Sequence, residues 1–461
     1  MPPKFGTSGL RGLVTELTSD LVGAHVRSFL AACPVGKGLW IGRDLRESSP
    51  ALAEMVATAA RGMGCQVTDV GPMPTPALAL AAMDAGCGAI MVTGSHIPHD
   101  RNGMKFYTPN SEITKHHEAC IIAGLRDVYR GKEDPDVIRD EQTRTAYIAR
   151  YTRAYGTALE GMRIGLYSHS AVGRDLLADL LRGLGAQVTE LGRADRFVPV
   201  DTEAVSADLR KQLKDWAAEQ PMDAIVSTDG DGDRPLVADA TGQIVPGDVL
   251  GQIAGAALGA DLAVTPVSSN SGAEDVFKAV VRTRIGSPYV IAGMEQASGR
   301  VVGYEANGGF ILGFDADGPA GPLSALMTRD AVLPMVATLV EAKALGGLAA
   351  TVAAQPARFT ATDRLQGVAA EVAQAFIVDL EQNKHKRTNF LTRLRLTETA
   401  VDRTDGLRMI CEEDMVVHLR PSGNAPELRF YAEAGTSPAA QALLEKGLSL
   451  LQAQFTMPTK A

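Results

Sequence analysis

The sequence predicts an α/β protein: three similar α/β domains with mixed sheets, then a smaller α+β domain at the C-terminus. An internal repeat carries most of that prediction. Residues 64–71 read GCQVTDVG and residues 185–192 read GAQVTELG, and self-similarity at such spacing marks a repeated structural unit. The chain's 461 residues are also too many for one core, which argues for roughly three domains. The C-terminal stretch lacks the repeat and reads as a different fold.

Each octet follows a helical run, and each helical run follows a short apolar strand. In the first copy the strand covers residues 39–41 and the helix carries Leu52, Met55, Val56, Ala59 and Met63. In the second the strand covers residues 163–167 and the helix carries Leu176, Leu177, Leu180, Leu181 and Leu184. Those spacings gather apolar side chains on one face of a 3.6-residue helix. Strand, helix, Gly and strand make a crossover unit that builds parallel sheet packed against helices. A weaker third copy starts at residues 262–264, continues through a helix carrying Val276, Phe277, Val280 and Val281, and ends in RIGSPYVI. Beyond it the pattern predicts a helix over 365–380, the charged stretch EQNKHKRTNF, and strands near 391–396, 407–411 and 416–419. The expected domains are 1–147, 148–246, 247–355 and 356–461.

Hydrophobic residues make up 45% of the chain and charged residues 21%, a composition able to bury sizeable cores. The net charge of −9 argues against nucleic acid as a partner, because polyanion binding needs a clustered basic surplus. A small phosphorylated ligand, needing only a local group of Arg and Lys, stays open. The five cysteines are odd in number and form no CxxC pair, which suits free thiols in a reducing compartment. The opening MPPKFGTSGLRG holds no apolar leader. The apolar stretch at 250–264 contains glycines and Asp261, so no membrane association is expected. The expected location is cytoplasmic.

Five segments carry chemistry. The run GAIMVT (88–93) reads as a buried strand, stopped by Pro98, that delivers Ser95 and His96 to a loop at the sheet edge; a capping serine is the plainer alternative. The loop continues to Asn102-Gly103, which reads as a tight turn before Lys105. The apolar strand at 224–228 runs into Asp229, Asp231 and Asp233 separated by glycines. Carboxylates so spaced repel unless they wrap a hard cation or take up protons. An EF-hand is excluded, since Arg234 stands at its sixth position and Ala240 at its twelfth. Three side-chain ligands leave room for water or a phosphoryl oxygen, which suits Mg²⁺; a solvated acidic turn is the alternative. GYEANGGF places Glu305 and Asn307 between glycines, with acceptors and donors suited to sugar hydroxyls. RPSGNAP, with Arg420, Ser422, Gly423 and Asn424, and Arg429 beyond, has the makings of a phosphate cradle. GTSGLRG sets Arg11 in a glycine-rich N-terminal segment.

Read in order, FGTSGLRG, TGSHIPHDRNGMKFY, DGDGDRP, GYEANGG and RPSGNAPELR make the chain resemble the alpha-D-phosphohexomutase family along essentially its whole length. The resemblance implies three similar α/β domains and a smaller C-terminal domain around a central cleft. It implies that Ser95 is the phosphoserine that hands its phosphoryl group to substrate, with His96 orienting the phosphate. It implies Mg²⁺ held by Asp229, Asp231, Asp233 and a phosphoserine oxygen, with Arg11 and Arg234 beside the transferring group. Lys105 matches a general acid–base. Glu305 and Asn307 fall in the sugar-recognition loop, and Arg420, Ser422, Gly423, Asn424 and Arg429 match the loop holding the non-reacting phosphate.

Two positions depart from the family's pattern. Gly309 and Ser287 stand where many members carry histidines, so no role of those histidines transfers. The implied reaction interconverts hexose 6- and 1-phosphates, mannose phosphates first, glucose phosphates second and glucosamine phosphates third. A hexose 1,6-bisphosphate serves as intermediate and activator, and the expected assembly is a monomer or homodimer. A Mg²⁺-dependent phosphatase and a non-catalytic sugar-phosphate binder are the competing classes.

Overall fold

The computed structural model describes residues 3–6, 8–127, 135–421 and 426–456. The chain divides into two compact units, Met1–Val264 with Gly286–Ala354, and Thr265–Ile285 with Gln355–Ala461. In the first unit, β1 (Lys4–Phe5), β2 (Leu10–Leu13), β3 (Leu39–Arg43), β4 (Val67–Pro72), β5 (Gly88–Val92), β6 (Arg101–Tyr107) and β7 (Ile138–Arg139) form one sheet. Its order is β1-β2-β6-β5-β3-β4-β7. β3, β4, β5 and β7 run parallel, and β6, β2 and β1 add antiparallel pairs along one side.

The second sheet holds β8 (Arg163–Tyr167), β9 (Gln187–Leu191), β10 (Ala224–Thr228) and β11 (Pro235–Asp239) in the order β11-β10-β8-β9. It is parallel apart from β11. β12 (Leu262–Pro266) opens the third repeat, and β13 (Ala279–Thr283) groups with the second unit. β14 (Val301–Tyr304) lies parallel to β12, and β15 (Phe310–Leu312) continues the sheet antiparallel. A small hairpin, β16 (Ala316–Asp317) with β17 (Pro322–Leu323), precedes β18 (Leu326–Asp330), which pairs with β15.

The local reasons are plain. β5 and β10 are buried along their whole length, as parallel strands covered on both faces must be. The helix Ser49–Arg61 carries Pro50 in its first turn, where its missing N–H is no loss. That helix turns Leu52, Val56 and Ala60 into a core with Leu39, Ile41, Val67, Ile90 and Phe106.

The second unit is an antiparallel sheet of β19 (Phe359–Gln366), β20 (Glu398–Asp402), β21 (Leu407–Cys411), β22 (Val416–Pro421) and β23 (Glu427–Ala434), ordered β19-β23-β22-β21-β20. The three α/β sheets and this antiparallel sheet are the predicted fold class. Among the described residues no helix is long and apolar enough to cross a membrane.

Five local expectations are corrected. Val280 and Val281 lie in β13, because the third repeat's helix stops at Val276 and the β-branched run that follows extends. Residues 287–291 of the supposed closing strand lie in the helix Ser287–Gln296, with Pro288 in its first turn. The predicted helix over 365–380 begins only at Ala370; β19 ends at Gln366 and Gly367 turns the chain at φ +80°. Most of the charged stretch and residues 391–394 of the supposed strand lie in the helix Lys384–Leu394, whose Phe390, Leu391 and Leu394 are buried and whose N-terminus Asn383 caps.

Asn102-Gly103 makes no turn and lies inside β6. The Asn102 amide donates to the Ser48 and Ser49 hydroxyls at 2.8 and 2.9 Å. Gly103 allows β2 to approach, since a Cβ there would stand 2.1 Å from the Leu10 carbonyl oxygen.

Candidate active site

The three loops that carry the motifs leave the carboxyl ends of β5, β10 and β14, the edge where open α/β sheets present their ligands. After β5 the chain bends sharply at Ser95, which is fully buried with φ +53°. A non-glycine residue enters that region only when its surroundings hold it there. Thr93 Oγ1 accepts from the Ser95 N–H at 2.8 Å, and Thr93 donates in turn to Asp44 at 2.8 Å. The Ser95 hydroxyl donates to Asp229 Oδ2 at 2.6 Å and lies 3.2 Å from His96 Nδ1. The motifs of the first two sheets thereby meet.

The acidic loop is ordered by its neighbours. Asp229 Oδ1 accepts from the N–H groups of Gly232 and Arg234 at 3.1 and 3.3 Å. Asp231 Oδ2 accepts from Thr75 Oγ1 at 2.5 Å and Lys105 Nζ at 2.6 Å. Asp233 Oδ2 takes Lys105 Nζ at 2.5 Å and Arg329 Nη2 at 2.8 Å. Asp231 Oδ1 and Asp233 Oδ1 are buried without a hydrogen-bond partner. One ligand atom from each Asp lies within 4.8 Å of the others. Buried oxygen acceptors left open on an otherwise saturated loop fit a hard cation such as Mg²⁺.

The charges divide unevenly. Burial and the nearby Asp231 and Asp233 raise Asp229 well above the carboxylate range. Burial is the largest single effect on Asp231 and pushes it upward, but the Lys105 ammonium and the hydrogen bonds to that carboxyl together leave it below its usual value. Asp233 is lowered as well, since Arg329 and Lys105 overcome its burial. His96 is lowered to about 3 by burial and by Arg234 and Arg11, so its imidazole is neutral. Its Nδ1 lies 3.0 Å from Arg234 Nη1. Burial, then Arg234, brings Arg11 down to about 10.

Of Glu305 and Asn307, Glu305 reaches this cluster through a residue that the sequence reading missed. Arg329, fully buried at the end of β18, stands 2.8 Å from Asp233, 3.5 Å from Glu112 and 3.6 Å from Glu305. It also donates to Ser8 Oγ at 3.2 Å. The adjoining Asp330 is anchored by Tyr147 and Tyr151 and receives the Val332 N–H. An Arg-Asp pair closing an apolar strand was the available signal, but such a pair also reads as a helix cap.

Asn307 turns its side chain onto its own loop, accepting from the Gly309 N–H at 2.9 Å. A Cβ at Gly309 would stand 2.7 Å from Arg329 Cδ, so Arg329 fills the space beside that position. Ser287 donates to Glu112 at 2.8 Å.

In the second unit, Arg420 lies on β22 and pairs with Asp405 at 2.9 Å. Arg429 is opposite it on β23. Ser422, Gly423 and Asn424 lie outside the described residues.

Residues 2–130, 145–242 and 246–359 match, in order, alpha/beta/alpha domains I, II and III of the phosphoglucomutase/phosphomannomutase family. The chain is 43% identical to a phosphomannomutase of Sinorhizobium fredii over 480 residues, covering 99% of this chain and 100% of that one. It is 42% identical to a phosphomannomutase of Salmonella muenchen, covering 98% and 96%. A solved phosphoglucomutase/phosphomannomutase family protein from Burkholderia thailandensis shares the fold at TM-score 0.77 and 19% identity, over 98% of this chain and 97% of that one. Three matched domains in sequence, two full-length relatives above 40% identity and an acidic cluster able to hold a cation lead to one conclusion: the chain belongs to the phosphoglucomutase/phosphomannomutase family and is a phosphohexomutase.

Proposed function

We propose that this phosphohexomutase is a phosphomannomutase, interconverting mannose 6-phosphate and mannose 1-phosphate through phosphorylated Ser95 and a hexose 1,6-bisphosphate. The observation that carries the mechanism is the 2.6 Å hydrogen bond from Ser95 to Asp229 within the buried aspartate cluster. The choice of mannose rests on the two phosphomannomutases that are 43% and 42% identical along nearly the whole chain.

Asp229, Asp231 and Asp233 would hold Mg²⁺, with an oxygen of the phosphorylated serine beside them. The ion's contribution is to neutralise charge on the phosphoryl group. This chain's residues do the rest. In the first transfer the Oγ–P bond of phosphoSer95 breaks as a sugar hydroxyl oxygen forms its bond to phosphorus. The hydroxyl loses a proton and Ser95 Oγ gains one, with Lys105 as the general acid–base. The second transfer reverses these steps on the other phosphate, so no net proton is consumed. Arg11 and Arg234 stabilise charge on the moving phosphoryl group, and neutral His96 orients it. Glu305 and Asn307 recognise sugar hydroxyls. Arg420, Ser422, Gly423, Asn424 and Arg429 take the non-reacting phosphate. Four domains, 1–147, 148–246, 247–355 and 356–461, divide these tasks.

The test measures kcat/KM for mannose, glucose and glucosamine 1-phosphates with a trace of hexose 1,6-bisphosphate and Mg²⁺. Mannose 1-phosphate is expected to lead, and Ser95→Ala to abolish turnover. A stronger preference for another sugar refutes the substrate. Near-normal activity of Ser95→Ala refutes the phosphoserine.

A further inference from the structure

Ser95 needs a loop that holds a disfavoured backbone geometry, and the structure contains a side chain around which that loop is wound. Arg46, 2% exposed, follows β3 and points under the loop that follows β5. Its Nη2 donates to the carbonyls of Ser95 at 3.0 Å and Ile97 at 2.6 Å. Its Nη1 donates to those of Pro98 at 2.7 Å and Arg101 at 3.0 Å. Its Nε donates to Asp44 Oδ2 at 3.2 Å. A guanidinium has five N–H donors, and every one is used.

Two further contacts fix the plane of that group. Gly94 lies so close that a Cβ there would stand 2.6 Å from Arg46 Cζ. The ring of Phe197, from the stretch after β9, lies 3.8 Å from Arg46 Cζ, a cation–π contact. Gly230 of the acidic loop packs on the same ring and on the Ser95 carbonyl, since a Cβ there would be 2.9 Å from Phe197 and 2.7 Å from that oxygen. One planar group therefore sets the serine loop, and a ring stacked on it borders the acidic loop.

We infer that Arg46 is a positioning residue for the phosphoryl-transfer reaction: it holds the Ser95 loop in its strained form and in register with the acidic loop. It acts through Ser95 and touches no substrate. Lysine cannot replace it, because an ammonium has three donors and no plane. Misplacing a reacting oxygen by about an ångström costs on the order of 100-fold in rate, so the effect should fall on kcat. This inference rests on the phosphohexomutase reading, so its test includes a readout independent of turnover.

The experiment compares wild type, Arg46→Ala and Arg46→Lys in the full chain with Mg²⁺. Thermal midpoint, kcat and KM for mannose 1-phosphate, and Ser95 phosphorylation by intact mass after exposure to hexose 1,6-bisphosphate are measured. Each is repeated with millimolar guanidinium. Both variants are expected to lose about 100-fold in kcat, with KM little changed and Ser95 phosphorylated more slowly. Guanidinium should restore Arg46→Ala and leave Arg46→Lys, whose site is filled, unrestored. Wild-type kcat in Arg46→Lys would overturn the inference. So would a guanidinium rescue of the melting point without rescue of kcat. Should wild type fail to isomerise any hexose phosphate, the proposed function falls; the rate of Ser95 phosphorylation then decides on Arg46. Should Arg46→Ala not fold, Arg46→Lys carries the test.

Discussion

Lys105→Met is the sharpest test of how the acidic loop is balanced. The ammonium stands 2.6 Å from Asp231 and 2.5 Å from Asp233, with all three side chains buried. Methionine keeps most of the stem's volume and removes the charge. Breaking a buried ion pair from one side costs roughly 3–5 kcal/mol. Asp231 retains Thr75 and Asp233 retains Arg329, which places the loss near the lower figure. At about 2–4 °C per kcal/mol for a domain of roughly 200 residues, the apo protein should melt about 6–12 °C lower. A divalent cation on the same carboxylates restores the missing positive charge. Mg²⁺ should therefore raise the melting point of the variant more than that of wild type. In the general acid–base role proposed for Lys105, turnover should still fall by about 10²–10⁴-fold. Scanning fluorimetry in EDTA and in Mg²⁺, beside a coupled mutase assay, reads all three. An apo variant that melts within about 1 °C of wild type, or gains no more from Mg²⁺, would refute this account of the site's electrostatics.

Three further outcomes follow from the packing. Arg329→Met leaves Asp233, Glu112 and Glu305 without their shared cation, so it should cost about 3–5 kcal/mol. Arg329→Lys should recover part of that in chemical denaturation. Gly103→Ala drives a Cβ to 2.1 Å from the Leu10 carbonyl. Overpacking there should cost about 1–3 kcal/mol and displace Arg11, which pairs with Gly103 across β2 and β6; melting and kcat should fall together.

His418 is the third case: it is buried, donates Nε2–H to the Asp405 carbonyl at 2.6 Å and stacks on Tyr431. Burial lowers it to about 4. The unfolded chain takes up this proton near pH 6.5 and the folded chain only near 4. The contribution is therefore complete above pH 6.5 and lost as pH falls toward 4, about 2 kcal/mol of it by pH 5. The opening free energy of β22, read from amide protection with the intrinsic exchange rate at each pH divided out, should fall by about 2 kcal/mol between pH 7 and 5 in wild type and much less in His418→Gln.

By itself the sequence determined the repeat and the placing of Ser95 and the three aspartates on loops after apolar strands, and its resemblance to a family implied the reaction class. The first two depend on near neighbours along the chain. An apolar run such as 224–228 must be a buried strand wherever it packs, and three aspartates alternating with glycines repel in any fold. The same locality explains the errors. Asn102-Gly103 has the composition of a turn, and only pairing with β2 makes it strand. The charged helix Lys384–Leu394 looks polar until Phe390, Leu391 and Leu394 find the core of the second unit.

What tertiary structure alone decided is how the charges are shared. Asp231 and Asp233 each lose one oxygen to cations and keep the other open. Arg329 stands more than two hundred residues from Glu112 in sequence yet neutralises it, and Arg46 reaches a loop about fifty residues away. Such pairings carry no periodicity and no spacing rule. A buried charge is stable only beside its counter-charge, and which elements bring the two together is settled by the packing of the three sheets' edges.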